Sequence, residues 1–322
     1  MCSRISPDSR SRCSMALSRT FFLVPIEIRY RFPLPSVASA QTSPKLQERF
    51  FAGRTHMPND PVIEVATLHQ FSNVLLLDVR EAEAFEKDHA AGAVRVPIEA
   101  WVEAAKRSET SFASTAFWER QIGELGVCAI TTAVVVDDGR MTEAARVWFI
   151  LQFFGAKAHI LNGGWPVLSE AGIALPLPLE TFTGRPFKAA PGSGEVGLVE
   201  RDELKDELDG ETTIFDARTR AEFDGKDLRS NARGGHLPGA RLLSHADLLQ
   251  GKQLKSPEDL HRLIDAAGFR PGEHVVTHCD GGGRAALAAV AAVRAGFPDV
   301  RVYYLSFSDW AKDESCPIIS EL

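Results

Sequence analysis

The chain carries one pattern twice, in the same order. Thr213-Ile214-Phe215-Asp216-Ala217-Arg218 repeats the character of Leu76-Leu77-Asp78-Val79-Arg80, an apolar run ending in a polar tip. Ala221-Glu222-Phe223 then follows as Glu83-Ala84-Phe85 does, and Gly235-His236-Leu237-Pro238-Gly239-Ala240 echoes His89-Ala90-Ala91-Gly92-Ala93. Val275–His278 matches Val134–Asp137, a count that sets Cys279 against Asp138 and Arg284 against Glu143. Leu305–Trp310 falls in the neighbourhood of Gly163-Gly164-Trp165. A sequence that duplicates itself over such a span predicts two copies of one folding unit.

Within each copy, short β-branched or aliphatic runs alternate with longer helical stretches, which argues for a parallel α/β sheet. In the first copy strands are predicted at 75–80, 94–96, 133–136 and 159–161. Helices are predicted at 81–87, 98–107 and 114–125, with a strongly amphipathic one running to about Phe154. With 322 residues the chain has room for two cores of ordinary size. Residues 173–197 are rich in Pro and Gly and read as a linker. The predicted layout is therefore an extension over 1–56, a first domain over 57–172, the linker, and a second domain over 198–322.

Charge separates the extension from the rest. Residues 1–56 carry nine Lys/Arg against three acids, so with −7 for the whole chain the remainder stands at −13. An acidic body argues against nucleic acid as a partner. The extension lacks sustained periodicity. It reads either as a presequence, being Arg- and Ser-rich with Val37-Ala38-Ser39-Ala40 like a cleavage site, or as translation begun upstream of a true start at Met57. Five cysteines, at 2, 13, 128, 279 and 316, form neither a disulfide framework nor a zinc pattern. A reducing compartment, the cytoplasm, is the default expectation, with an organelle or export as the alternative if the extension is a presequence. No apolar stretch is long enough to span a membrane.

The two copies differ at one loop. His278-Cys279-Asp280-Gly281-Gly282-Gly283-Arg284 lies between the strand-like Val275-Val276 and the alanine-rich run from Ala285. Strand, glycine-rich turn and helix in succession place Cys279 at the strand's C-terminal tip, where loop N–H groups and the helix N-terminus favour negative charge. A thiol held there is predicted to have a lowered pKa and to act as a thiolate nucleophile. Arg284 adds a positive charge beside the loop.

Taken together, Asp78-Val79-Arg80, Asp216-Ala217-Arg218, Gly235–Ala240 and the Cys279 loop resemble the tandem rhodanese family of sulfurtransferases over roughly residues 60–318. The resemblance implies two tandem rhodanese-like domains, each a mainly parallel sheet flanked by helices, the first non-catalytic. It implies that Cys279 accepts a sulfane sulfur from thiosulfate or 3-mercaptopyruvate as a persulfide, at a site facing the cleft between the domains. A thiol, cyanide or a protein thiol would then take the sulfur, in a ping-pong scheme that needs no metal or organic cofactor. Asp280, Gly281, Gly282, Gly283, Arg284 and Arg229 would bind substrate, with Asp216 and Arg218 supporting the site. The loop departs from both enzyme types: thiosulfate enzymes of the family carry two basic residues after the cysteine, mercaptopyruvate enzymes a Gly-Ser/Thr-Gly run. Glu222 stands where the latter have a substrate-binding Arg, so the donor stays open between the two.

Plainer roles compete at several positions. Cys279 could be a core cysteine, but a glycine-rich turn explains it poorly in that role. His236 reads as a turn residue, Cys128 and Cys316 as bystanders, and the five tryptophans as packing residues. Two other function classes fit part of the pattern. One is a non-enzymatic sulfur carrier or regulatory module. The other is a cysteine phosphatase or arsenate reductase, whose loop wraps a tetrahedral oxyanion with five residues between Cys and Arg, against four here, 280–283.

Overall fold

A computed structural model describes residues 60–172 and 186–320. The predicted extension, and residues 173–185 of the predicted linker, lie outside the described residues. Ten strands form two five-stranded sheets, all of whose pairs are parallel. In the first, β1 (Val62–Ile63), β2 (Val74–Asp78), β3 (Val94–Arg95), β4 (Thr132–Val136) and β5 (Ala158–Leu161) stand in the order β1-β5-β4-β2-β3. In the second, β6 (Val196–Leu198), β7 (Thr212–Asp216), β8 (Arg241–Leu242), β11 (His274–His278) and β12 (Val300–Val302) stand in the order β6-β12-β11-β7-β8. Between β8 and β11, β9 (Leu249–Gln250) and β10 (Gln253–Leu254) make a small antiparallel hairpin. Strand for strand the two orders are the same, so the duplicated sequence is a duplicated fold.

The central strands explain themselves. Thr132–Val136 is β-branched or small at every position and buried at all five, as befits a parallel strand covered on both faces. His274–His278 is buried from Val275 onward. Each feeds a loop and then a helix, Thr142–Phe153 in the first repeat and Gly283–Arg294 in the second. Those helices pack on each other, and one continuous apolar core runs across both repeats. The amphipathic pattern predicted for the first of them is not what the fold uses. Every residue from Ala144 to Phe153 is buried, including Arg146 and Gln152, because the outer face of this helix is the seam between repeats.

The predicted linker also ends differently from its composition. Val196 and Gly197 belong to β6, Phe187 is buried, and Gly194 lies so close to Gln152 that a Cβ there would meet its Oε1 at 2.0 Å. Here glycine marks close packing and not slack chain.

Register settles how the copies correspond. Asp78 pairs with Val136, and Asp216 with His278. The backbone N–H of Trp165 reaches Asp137 O as that of Phe307 reaches Cys279 O. At the strand tip it is therefore Asp137, not Asp138, that stands where Cys279 does. The helices follow the other count, Ala145 N–H to Met141 O matching Ala286 N–H to Gly282 O, which keeps Glu143 against Arg284. The first loop holds one residue more between strand and helix, so no single offset fits both sides.

Candidate active site

Cys279 follows the last residue of β11, and the loop after it curls back over the sulfur. The N–H of Gly282 donates to Cys279 Sγ at 3.1 Å. Gly282 sits at φ 96° with a would-be Cβ only 2.6 Å from Tyr304 O, so no other residue fits the curl. The N–H of Cys279 goes to Ser306 Oγ at 3.1 Å, and that hydroxyl donates to Tyr303 O at 2.8 Å. Ser306 holds φ 59°, a left-handed conformation that a serine adopts at a cost, directly beneath the thiol. Cys279 itself is 1% exposed, more enclosed than a thiol at an open strand tip. Asp280 and Gly281 above it are half-buried, and open space lies over Gly281.

The cations that the sequence assigned to substrate are paired. Arg284 gives both terminal nitrogens to Glu222, at 2.8 Å each, and Arg229 sends Nε to the same carboxylate at 3.2 Å. Glu222 is 1% exposed and also closes a capping box with Thr219 on the helix Arg220–Phe223. Burial opposes its ionisation, but the bonds from Arg284 and Thr219 prevail and hold its carboxyl far below the ordinary range. Asp280 accepts from Asn231 Nδ2 at 2.7 Å. This cluster is not legible in the sequence: Glu222 stands out there as a departure, but nothing in the spacing joins it to Arg284, 62 residues away.

Asp216 and Arg218 lie under the loop. Arg218 binds both Asp216 oxygens, reaches Gly235 O at 2.8 Å and stacks 4.0 Å over the Phe307 ring. Burial opposes ionisation of Asp216, but His278 and the Arg218 guanidinium outweigh it and keep the carboxyl below its usual range. Burial pushes His278 down to about 4, so at neutral pH it is the guanidinium that holds Asp216 charged. His236 stacks on Phe223 at 3.7 Å, as suits a turn residue.

The first repeat reaches the loop as well. Arg146 Nη1 donates to Gly281 O at 2.7 Å and to Tyr304 OH at 3.2 Å, while its Nε pairs with Glu143 at 2.8 Å. Sequence reasoning did not name Arg146. The available signal was an Arg three residues after Glu143 on an otherwise apolar helix. Beside Arg284 a cavity of about 560 Å³ opens between the repeats, with Arg140 and Asp138 on one wall and His245, Lys252 and Arg284 on the other. Among the described residues, no group of three or more His, Cys, Asp or Glu side chains is placed to hold a metal ion, and no helix is long and apolar enough to cross a membrane.

A profile of the rhodanese-like domain matches residues 62–171 and again 200–313. The chain belongs to the rhodanese family. Among curated rhodanese relatives, it is 27% identical over 250 residues to the 3-mercaptopyruvate sulfurtransferase of Escherichia coli, covering 75% of this chain and 86% of that protein. It is 26% identical over 248 residues to the thiosulfate sulfurtransferase of Pseudomonas aeruginosa, covering 76% and 90%. The crystal structure of SseA from Escherichia coli superposes with a TM-score of 0.62 at 22% identity, over 78% of this chain and all of that one. Wild-type EanB superposes at 0.66 with 20% identity, over 86% and 68%. The likeness to these two structures concerns the fold alone.

The two rhodanese repeats hold different groups at one position. Where Cys279 Sγ accepts from Gly282 N–H, Asp137 accepts from Gly139 N–H at 2.9 Å and from Ala144 N–H at 3.3 Å. Burial pushes the Asp137 carboxyl up to about 6, from an ordinary 3.8. Between those values the folded chain binds the proton that the unfolded chain releases, so this group's contribution to stability falls as pH rises through about 6. An Asp137→Asn variant lacks that loss. Relative to the parent, it is expected to gain about 2 kcal/mol on going from pH 4 to pH 7, read as a difference of urea unfolding free energies. Equal pH dependence in the two proteins would count against a buried, proton-binding Asp137.

Proposed function

We propose that this rhodanese-family chain transfers sulfane sulfur through a persulfide on Cys279. The observation that carries the reading is the Gly282 N–H aimed at a thiol on the C-terminal tip of the central strand, at the start of a buried helix. Open α/β sheets bind their ligands at that edge. Its family and its sulfurtransferase relatives support sulfane-sulfur transfer as the class of chemistry. In this reading the first repeat, over 57–172, is non-catalytic and holds Asp137 where the second, over 198–322, holds the nucleophile.

The thiolate of Cys279 attacks the outer sulfur of thiosulfate, the S–S bond breaks, and sulfite leaves with the bonding pair. With 3-mercaptopyruvate the C–S bond breaks instead, and the carbon takes up a proton to give pyruvate. Either way the terminal sulfur of Cys–S–S⁻ carries the charge, and the Gly282 N–H stabilises it as an oxyanion hole stabilises oxygen. A thiol, cyanide or a protein thiol then attacks that sulfur and Cys279 leaves as thiolate. In this reading donors approach the loop from the cavity beside Arg284, where Lys252 adds positive charge and Arg140 is paired with Asp138 at 2.7 Å. Asp280 and the paired state of Arg284 weaken the pull on a dianion.

The test is intact mass spectrometry after incubation with each donor in turn, with peptide mapping. One added sulfur atom on Cys279, removed by cyanide, is the expected result with at least one of the two. No adduct from either donor would defeat the reading.

A further inference from the structure

We propose that Arg146, on the first repeat, is a positioning residue for the Cys279 loop. Its guanidinium clamps the carbonyl of Gly281, and so aims and strengthens the N–H that meets the sulfur. The carbonyl of Gly281 and the N–H of Gly282 belong to one peptide plane. In a trans peptide they point in opposite directions, so fixing one end fixes the other. Arg146 Nη1 holds the oxygen at 2.7 Å, and the N–H at the far end lies 3.1 Å from Sγ. A cation on the carbonyl draws electron density out of the amide and makes its N–H a better donor, an effect that low dielectric enlarges.

The surroundings leave that plane little choice. A Cβ on Gly282 would lie 3.0 Å from Arg146 Nη1, and one on Gly283 would lie 2.9 Å from Nη2, so the loop is pressed against the guanidinium. Arg146 is 7% exposed on a helix otherwise buried by apolar side chains, where an arginine is costly. Burial opposes its charge, but Tyr304 and Glu143 more than compensate, and it stays cationic. Packing two repeats together does not require a charge there; orienting a peptide that faces a sulfur anion does. The importance of Arg146 for turnover rests on the sulfur-transfer reading, whereas its hold on the loop does not.

The test follows alkylation of Cys279 by iodoacetamide against pH, read on the Cys279 peptide by mass spectrometry. In Arg146→Met the rate at pH 7 is expected to fall about tenfold while the high-pH plateau is kept, because the anion loses stabilisation and access does not change. Arg146→Lys, which keeps a cation, should recover most of the rate. Glu143→Gln, which removes the carboxylate that shares Arg146's charge, should raise the pH 7 rate about twofold. Superimposable profiles for the parent and Arg146→Met would overturn the inference. So would an equal loss of plateau in the Met and Lys variants, which would reduce Arg146 to packing, or a parent thiol inert at every pH. Should the profile behave as expected while neither donor leaves sulfur on Cys279, the sulfur-transfer reading fails and the clamp stands.

Discussion

Replacing Cys279 with serine is expected to lower sulfur transfer by about three orders of magnitude or more, with the fold unchanged. The hydroxyl is nearly isosteric and can accept the same Gly282 N–H that the sulfur accepts, so the buried loop keeps its partner. What serine cannot do is form the persulfide, since its oxygen is protonated at neutral pH and makes no S–S bond. The measurement is steady-state sulfur transfer to cyanide from each donor, alongside thermal unfolding of both proteins. A variant with unaltered unfolding and unaltered transfer would remove Cys279 from the chemistry and leave the loop as architecture. The same pair of proteins addresses the phosphatase alternative: neither is expected to turn over an aryl phosphate, because the loop offers four residues, 280–283, between Cys and Arg.

Much of this was legible because it is local. The strand at Ala133–Val136 and the glycine-rich turn after His278 are set by neighbours within a few residues, so an unbroken apolar run and turn chemistry place them correctly. The duplication was legible for the same reason. What escaped was set across long stretches of chain. Glu222 meets Arg284 over 62 residues, and Arg146 meets Gly281 over 135, with no periodicity joining either pair. The buried face of Thr142–Phe153 escaped too. A helix covered by a second copy of the domain carries apolar residues all round, and its Arg and Gln then look like a polar side. The single extra residue in the first loop moved the strand-tip equivalence from Asp138 to Asp137, a shift that only the pairing register reveals. The consequence is chemical: the first repeat presents a buried carboxylate, tied to backbone N–H groups, at the point where the second presents a thiol.

Truncating Arg218 to methionine should destabilise the protein by about 3–5 kcal/mol, the usual cost of leaving one member of a buried ion pair alone. Asp216 and Arg218 have side-chain exposures of 0% and 2%, and among the described residues Arg218 is the one Lys or Arg that forms an ion pair with Asp216. The matching pair in the first repeat, Asp78 and Arg80, is less enclosed, with Arg80 at 8% and stacked on the half-buried Trp165. Arg80→Met should therefore cost less. The loss at Arg218 should also depend on pH, because His278 Nε2 lies 3.4 Å from Asp216 Oδ2 and forms no hydrogen bond. In the parent, burial keeps that imidazole neutral down to about 4. Without the guanidinium, the stranded carboxylate and its histidine bind a proton more tightly in the folded state than they do in the parent. Tighter proton binding by the folded state adds stability as pH falls. Urea titrations at pH 8 and pH 5 should then show the Arg218→Met deficit shrinking at the lower pH, while the Arg80→Met deficit, with no histidine before Asp137 to take the proton, should change less. A deficit at Arg218 that is constant with pH would mean that His278 does not sense Asp216, and that the pair acts on the loop through packing alone.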